Sequence, residues 1–140
     1  MIQPSHSPLY LKELWTPQLE TRLGYCDYSC TSCGQVCPSG AITKLPLIDK
    51  QKTSIGTARI DKKRCLPWAE DIECIVCEEM CPVPQKAIRL EEKVVVHSSY
   101  EVITLLQPTV IPDLCIGGGI CEYKCPVDGE AAIRIYPNKL

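Results

Sequence analysis

The stretch Cys26-Asp27-Tyr28-Ser29-Cys30-Thr31-Ser32-Cys33-Gly34-Gln35-Val36-Cys37-Pro38 decides how this chain is read. Four thiols fall within twelve residues, and a proline closes the run. A gap of two residues lets a tight loop aim neighbouring thiols at one centre. The wider gap before Cys37 carries its sulfur away on a short helical turn. Pro38 cannot continue a helix ladder, so the chain turns out of the site there. The stretch returns twice. A shift of 44 residues carries Cys30, Cys33 and Cys37 onto Cys74, Cys77 and Cys81. A second shift of 44 lands on Gly118, Cys121 and Cys125. Each Cys-Pro is followed by an Ala-Ile pair, at Ala41-Ile42, Ala87-Ile88 and Ala132-Ile133. The leading cysteine is less regular, at Cys26, Cys65 and Cys115.

The second half of the run, C-x2-C-x3-C-P, is nearly the bacterial iron–sulfur spacing C-x2-C-x2-C-x3-C-P. One extra residue between Cys26 and Cys30 is the departure. In two-cluster ferredoxins the fourth cysteine of such a run binds the other cluster. Applied to the first two repeats, this crossing predicts two [4Fe–4S] clusters. Cys26, Cys30, Cys33 and Cys81 hold one; Cys65, Cys74, Cys77 and Cys37 hold the other. Such clusters staple two halves of a domain, so removing iron is expected to unfold it. The third repeat keeps Cys115, Cys121 and Cys125, with Gly118 at the missing ligand. It is read as an empty site. The open alternatives are a [3Fe–4S] cluster, a [4Fe–4S] cluster with water or a partner's side chain on one iron, and ligands from a second subunit.

Two other chemistries fit less well. Paired C-x2-C spacings also suit zinc, but zinc does not explain a further thiol three residues on, repeated with proline. Cys26-x3-Cys30-x2-Cys33 matches the spacing of radical S-adenosylmethionine enzymes. Those enzymes leave an iron open inside a large barrel, and 140 residues are too few for one.

Composition narrows the class. A length of 140 residues allows one domain, or a compact one with an appendage. There is no phenylalanine and there are two tryptophans, so an ordinary aromatic core is not expected. A net charge of −2 gives no basic footprint for nucleic acid. No apolar run is long enough to span a membrane. The N-terminus reads as neither a signal peptide nor a twin-arginine leader. Eleven cysteines is an odd count, which argues against a disulfide framework and for the reducing cytoplasm.

The expected fold class is α+β, of the bacterial dicluster ferredoxin kind: short strands and helical turns around clusters, with an added β-hairpin and a degenerate third repeat. Residues 1–22 form an arm, with a helical possibility at Leu9–Trp15. Residues 23–92 form the dicluster core. Residues 93–140 add the hairpin and the third repeat. Strands are expected at Thr21–Tyr25, Ala41–Thr43, Thr57–Asp61, Ala87–Leu90 and Ala132–Tyr136, and Thr109–Ile111 leads to Cys115 and the third loop. Helical turns are expected at Gly34–Cys37 and Ile120–Lys124, and Pro46–Gly56 reads as a polar connection. Lys93–His97 and Tyr100–Leu106 pattern as a hairpin around Ser98-Ser99, with His97 facing solvent at the turn. Lys62-Lys63-Arg64 reads as a solvated face, or as a docking aid for an acidic partner. Trp68 either shields a cluster or packs a loop.

The residues resemble a known group. Cys30–Ile42 (CTSCGQVCPSGAI), Gly56–Trp68 (GTARIDKKRCLPW), Cys74–Val83 (CIVCEEMCPV) and Cys115–Val127 look like the polyferredoxins of the NapG/MauM type. Leu14–Pro17 (LWTP) matches a segment that precedes the first motif in related cytoplasmic iron–sulfur proteins. The resemblance implies a ferredoxin-like fold and electron relay between redox partners, as a carrier or as a subunit of a larger oxidoreductase. It matches the eight cysteines of the first two repeats to the family's ligands. No residue is assigned bond chemistry on a substrate. A scaffolding iron–sulfur subunit and a three-cluster carrier are the alternatives. Two departures stand out: no cysteine motif upstream of Leu14–Pro17, and glycine where relatives carry cysteine at 118. If the upstream motif pairs with the third repeat, both departures have one cause.

Overall fold

The computed structural model describes residues 2–4, 17–96 and 102–138. In chain order the elements are β1 (Ile2–Pro4), β2 (Pro17–Leu19), α1 (Ser32–Val36), α2 (Leu47–Lys52), β3 (Thr57–Ile60), α3 (Leu66–Ala69), α4 (Val76–Glu79), β4 (Ile88–Val96), β5 (Val102–Val110), α5 (Ile120–Lys124) and β6 (Ile133–Tyr136). A short 3-10 turn, Pro112–Leu114, leads into Cys115. The Leu9–Trp15 helix and the Ser98-Ser99 turn with His97 lie outside the described residues.

Two antiparallel ladders knit the second repeat to the third. The strand leading into the second, β3, pairs with the strand leaving the third, β6, placing Ala58 opposite Ile135 and Ile60 opposite Ile133. The strand leaving the second, β4, pairs with the strand entering the third, β5, from Ile88 opposite Val110 to Val96 opposite Val102. Helix α4 packs on α5 between them. Ala58, Ile88 and Ile133 make the core together with two thiols, Cys77 and Cys121. Burying an isoleucine contributes about 1.5–3 kcal/mol. Helix α3 is clamped to β5 from one side chain each way. Trp68 Nε1 donates to the Pro108 carbonyl at 3.1 Å, and Gln107 Nε2 donates to the Pro67 carbonyl at 2.9 Å.

The β4–β5 ladder runs across the expected division between residues 92 and 93. The compact unit is built from the second and third repeats, across residues 57–136. The first repeat docks on it without joining a ladder. Residues 21–23 form a turn rather than a lead-in strand, and 41–46 run without a strand. The physical reason is that a strand needs a partner edge, and β3 has β6. The connection 46–56 is not open either, since Leu47–Lys52 is helical. Asp49 in its first turn and Lys50 and Lys52 in its last suit the helix dipole.

Three contacts fix the docked repeat. The Arg22 guanidinium forks into the end of α5, donating to the carbonyls of Glu122 at 3.0 Å, Cys125 at 3.0 Å and Val127 at 2.7 Å. The Cys26 amide donates to the Gly118 carbonyl at 2.7 Å. Tyr25 packs on Tyr123 with ring centroids 5.4 Å apart. Within the repeat, α1 lies so close to its return segment that a Cβ at Gly34 would meet the Thr43 carbonyl at 2.7 Å.

Candidate iron–sulfur centres

The elements gather ten of the eleven thiols around three cavities. Cys65 precedes α3, Cys74 and Cys77 lie before and on α4, and Cys125 follows α5; together they line one apolar cavity with Ile60 and Pro108. Electrostatics show how close these four are. Burial pushes the Cys65 thiol up to about 11, helped by the charges of Cys74 and Cys125. Burial pushes Cys77 up to about 12, with Cys65 and Cys74 adding to it.

A second cavity is lined by Cys81, Cys115 and Cys121, with Gly118 on its rim. Backbone amides reach two of its sulfurs: Ala58 N–H to Cys115 at 3.3 Å and Ala87 N–H to Cys81 at 3.4 Å. Hydrogen bonds to sulfur tune a cluster's potential. Cys121 is pushed up to about 12, by burial first and then by Cys115 and Cys77.

The third cavity is larger, about 390 Å³, and holds Cys26, Cys30 and Cys33 on its walls, with Gly118 again at the edge. Cys30 is lowered by the Ser32 hydroxyl beside it. Cys37 does not line this cavity. Its thiol is lowered to about 7, by the Ile42 amide first and the Ser39 hydroxyl next.

The sequence-expected ligand sets are therefore regrouped. Cys26, Cys30 and Cys33 do share a cavity, and so do Cys65, Cys74 and Cys77. The crossing thiols differ. Cys125, not Cys37, completes the Cys65 set, and Cys81 joins Cys115 and Cys121 instead of Cys26. The cause is the ladder pairing: β3–β6 and β4–β5 bring the second and third repeats face to face. The third repeat thus shares both of these cavities with the second. The contributions of Arg22 and of the Ala58 and Ala87 amides left no sequence signal. Cys125 did leave one, since the crossing rule applied to the second and third repeats finds it.

Known proteins are similar to this chain. The ferredoxin-type protein NapG of Haemophilus influenzae is 37% identical over 114 residues, covering 77% of this chain and 37% of the relative. The methylamine utilization ferredoxin-type protein MauM of Methylorubrum extorquens is 34% identical over 130 residues, covering 91% of this chain and 55% of the relative. NapG of Escherichia coli is 34% identical over 114 residues, with 77% and 45% covered.

The chain is a NapG/MauM-type ferredoxin-like protein.

It spans about half the length, or less, of these NapG and MauM relatives. A 4Fe-4S binding domain model matches residues 108–129. That match falls on the repeat with Gly118, so one absent thiol does not erase the domain's signature. No solved structure matches the chain. Among the described residues no three cysteine, histidine or acidic side chains converge tightly enough for a single metal ion. The thiols instead ring apolar cavities, which is the donor set of an iron–sulfur cube. In this NapG/MauM-type chain, then, the residues present fit 4Fe–4S clusters.

Beside the Cys65 cavity two ammonium groups sit over the Trp68 ring, Lys62 at 3.8 Å and Lys93 at 5.4 Å from its centroid. Among the described residues no helix is long and apolar enough to cross a membrane.

Proposed function

We propose that this chain relays single electrons between redox proteins, as a carrier or as a subunit of a larger oxidoreductase, through clusters bridging its second and third repeats. The observation that carries this is the convergence of Cys65, Cys74, Cys77 and Cys125 on one apolar cavity. These four would hold an all-cysteine [4Fe–4S] cluster. Cys81, Cys115 and Cys121 would hold the second, leaving the iron that faces Gly118 without a protein thiolate. Each repeat lends its Cys-Pro thiol to the other, so the two clusters sit back to back in one core. A cluster supplies one-electron reduction and oxidation when bound. The chain's own part is to ligate it, keep water off it and set its potential with the Ala58 and Ala87 amides.

The test is iron and acid-labile sulfide per chain, with EPR on oxidised and reduced samples and a potentiometric titration. Cys65→Ser and Cys125→Ser should each remove the same EPR signal and leave the other cluster in place. Removal of that signal by Cys37→Ser, with Cys125→Ser silent, would reject the assignment. Reoxidation of the reduced protein by a ferredoxin-type acceptor should proceed within turnover times. Clusters that cannot be cycled would instead mark a structural role.

A further inference from the structure

Helices α4 and α5 are each followed by a Cys-Pro thiol that crosses to the other repeat's cavity, Cys81 to the Cys115 set and Cys125 to the Cys65 set. At both helix ends a cation closes over the freed carbonyls. Lys86 Nζ donates to the carbonyls of Glu78 at 2.9 Å, Glu79 at 2.9 Å and Cys81 at 3.1 Å. Arg22 does the same at Glu122, Cys125 and Val127. Two of the three carbonyls correspond under the 44-residue shift, Glu78 to Glu122 and Cys81 to Cys125.

The cations themselves do not correspond. Lys86 shifted by 44 falls on Glu130, whose carboxylate lies 3.8 Å from Arg64 and 3.4 Å from Arg134. That position offers the third repeat no cation, and Arg22 reaches over from the first repeat to close the helix end. Lys86, for its part, sits at φ 49°, in the left-handed region that disfavours a side chain. Two side chains from unrelated parts of the chain thus bring one positive charge to the same structural position. Among the described residues neither is paired with a carboxylate.

A helix C-terminus favours a cation on its own account. This position adds something further. Each charge is bound to the backbone of a crossing residue, Cys81 or Cys125, whose sulfur would touch a cluster. Both cations are half-buried, so salt screens them less than surface charges. Reduction brings one electron onto a cluster and breaks no bond in the chain. A fixed positive charge beside the cluster favours the more negative, reduced state, and net charge is one of the determinants of potential in such centres.

We propose that Lys86 and Arg22 set the reduction potentials of the two bridging clusters by raising them. Lys86 acts on the cluster of Cys81, Cys115 and Cys121, and Arg22 on that of Cys65, Cys74, Cys77 and Cys125. The assignment is crossed: Lys86 belongs to the second repeat but acts on the cluster walled by the third repeat's leading thiols. Arg22 belongs to the first repeat, so the docking of that repeat is coupled to the potential of the Cys65 set. The proposal rests on the electron-transfer reading and adds to it which side chains fix the order of the two potentials.

The experiment is an EPR-monitored potentiometric titration of the anaerobically reconstituted chain, with iron and sulfide counted on the same samples. Cys125→Ser and Cys81→Ser identify which signal belongs to which set. Lys86→Gln should lower the midpoint of the Cys115 set more than that of the Cys65 set. Arg22→Gln should do the reverse. Lys86→Arg and Arg22→Lys keep the charge and should hold both midpoints near wild type, although Arg22→Lys loses the fork. Where Arg22→Gln costs its cluster, the Lys86 pair decides, because Lys86 caps carbonyls of its own loop and docks no other repeat. Unmoved midpoints in loaded glutamine variants overturn the proposal. So do equal shifts of both clusters, a Lys86→Arg shift as large as that of Lys86→Gln, or a Lys86→Gln chain that loads neither cluster, which would make the cation a fold element only. In all of these cases wild-type clusters that reduce and reoxidise leave the electron-transfer reading standing. Absence of iron and sulfide from the wild-type chain would sink both.

Discussion

Gly118 lies between two glycines that have little freedom to change. Gly117 and Gly119 sit at φ 74° and 84°, in the left-handed region. There a side chain costs about 1–2 kcal/mol, and Thr21 blocks the space at Gly119. Gly118 is different. Its backbone is ordinary, and an added Cβ would come 3.2 Å from the Cys26 carbonyl alone. A shift of a few tenths of an ångström makes room. Gly118→Cys should therefore fold and give the Cys81, Cys115 and Cys121 set its fourth thiolate. The wild-type cluster should lose its unligated iron on mild oxidation and show an oxidised-state [3Fe–4S] EPR signal; the variant should not. An identical signal in both proteins would mean the iron facing Gly118 is already held by something else. At this scale the spacing singled out the thiols as candidate ligands and was silent about which cavity each would line. The repeats are spaced by 44 residues both times, so spacing favours neither pairing of neighbours.

What separates the two pairings is the content of the linkers. Between the second and third repeats lie two nine-residue strands, β4 and β5, that pair along their whole length. Between the first and second lies a short helix and a single strand, β3. The β-rich pattern of Val94, Val96, Val102, Leu105 and Leu106 was readable as a pair of strands, and the helical turns of the first and third repeats were readable too. That β3 would choose β6 over the Ala41–Thr43 segment was not, because strand partners are a tertiary choice. Arg22 is the element-scale consequence. Its fork spans three carbonyls at the α5 end, a place where the helix dipole also favours a cation. A lysine cannot make the fork. Arg22→Lys should lower stability by about 2 kcal/mol, as expected for losing charge-assisted hydrogen bonds at a half-buried site. A denaturant midpoint unchanged from wild type would show that the first repeat docks without it.

For the whole molecule, the candidate ligands and the core are one object. Cys77 and Cys121 belong to the same buried group as Ala58, Ile88 and Ile133. Those thiols are held protonated by burial, Cys65 up to about 11 and Cys77 and Cys121 up to about 12, against an ordinary 9.0. Ligation requires the thiolates, so protons and iron compete for the same sulfurs. Raising the pH removes the competitor, and the loaded chain should hold iron more tightly at pH 9 than at pH 7 against a fixed chelator. The iron-free chain should respond in the opposite direction. A thiol raised above its unfolded value adds stability that is complete below about pH 9 and is lost as the pH climbs through 11 and 12. Melting temperatures of the two forms measured from pH 7.5 to 10.5 should therefore diverge, the iron-free curve falling above pH 9 while the loaded curve does not. Parallel curves would mean that Cys65, Cys77 and Cys121 are not buried together until iron gathers them, and that the clusters build this core rather than occupy it.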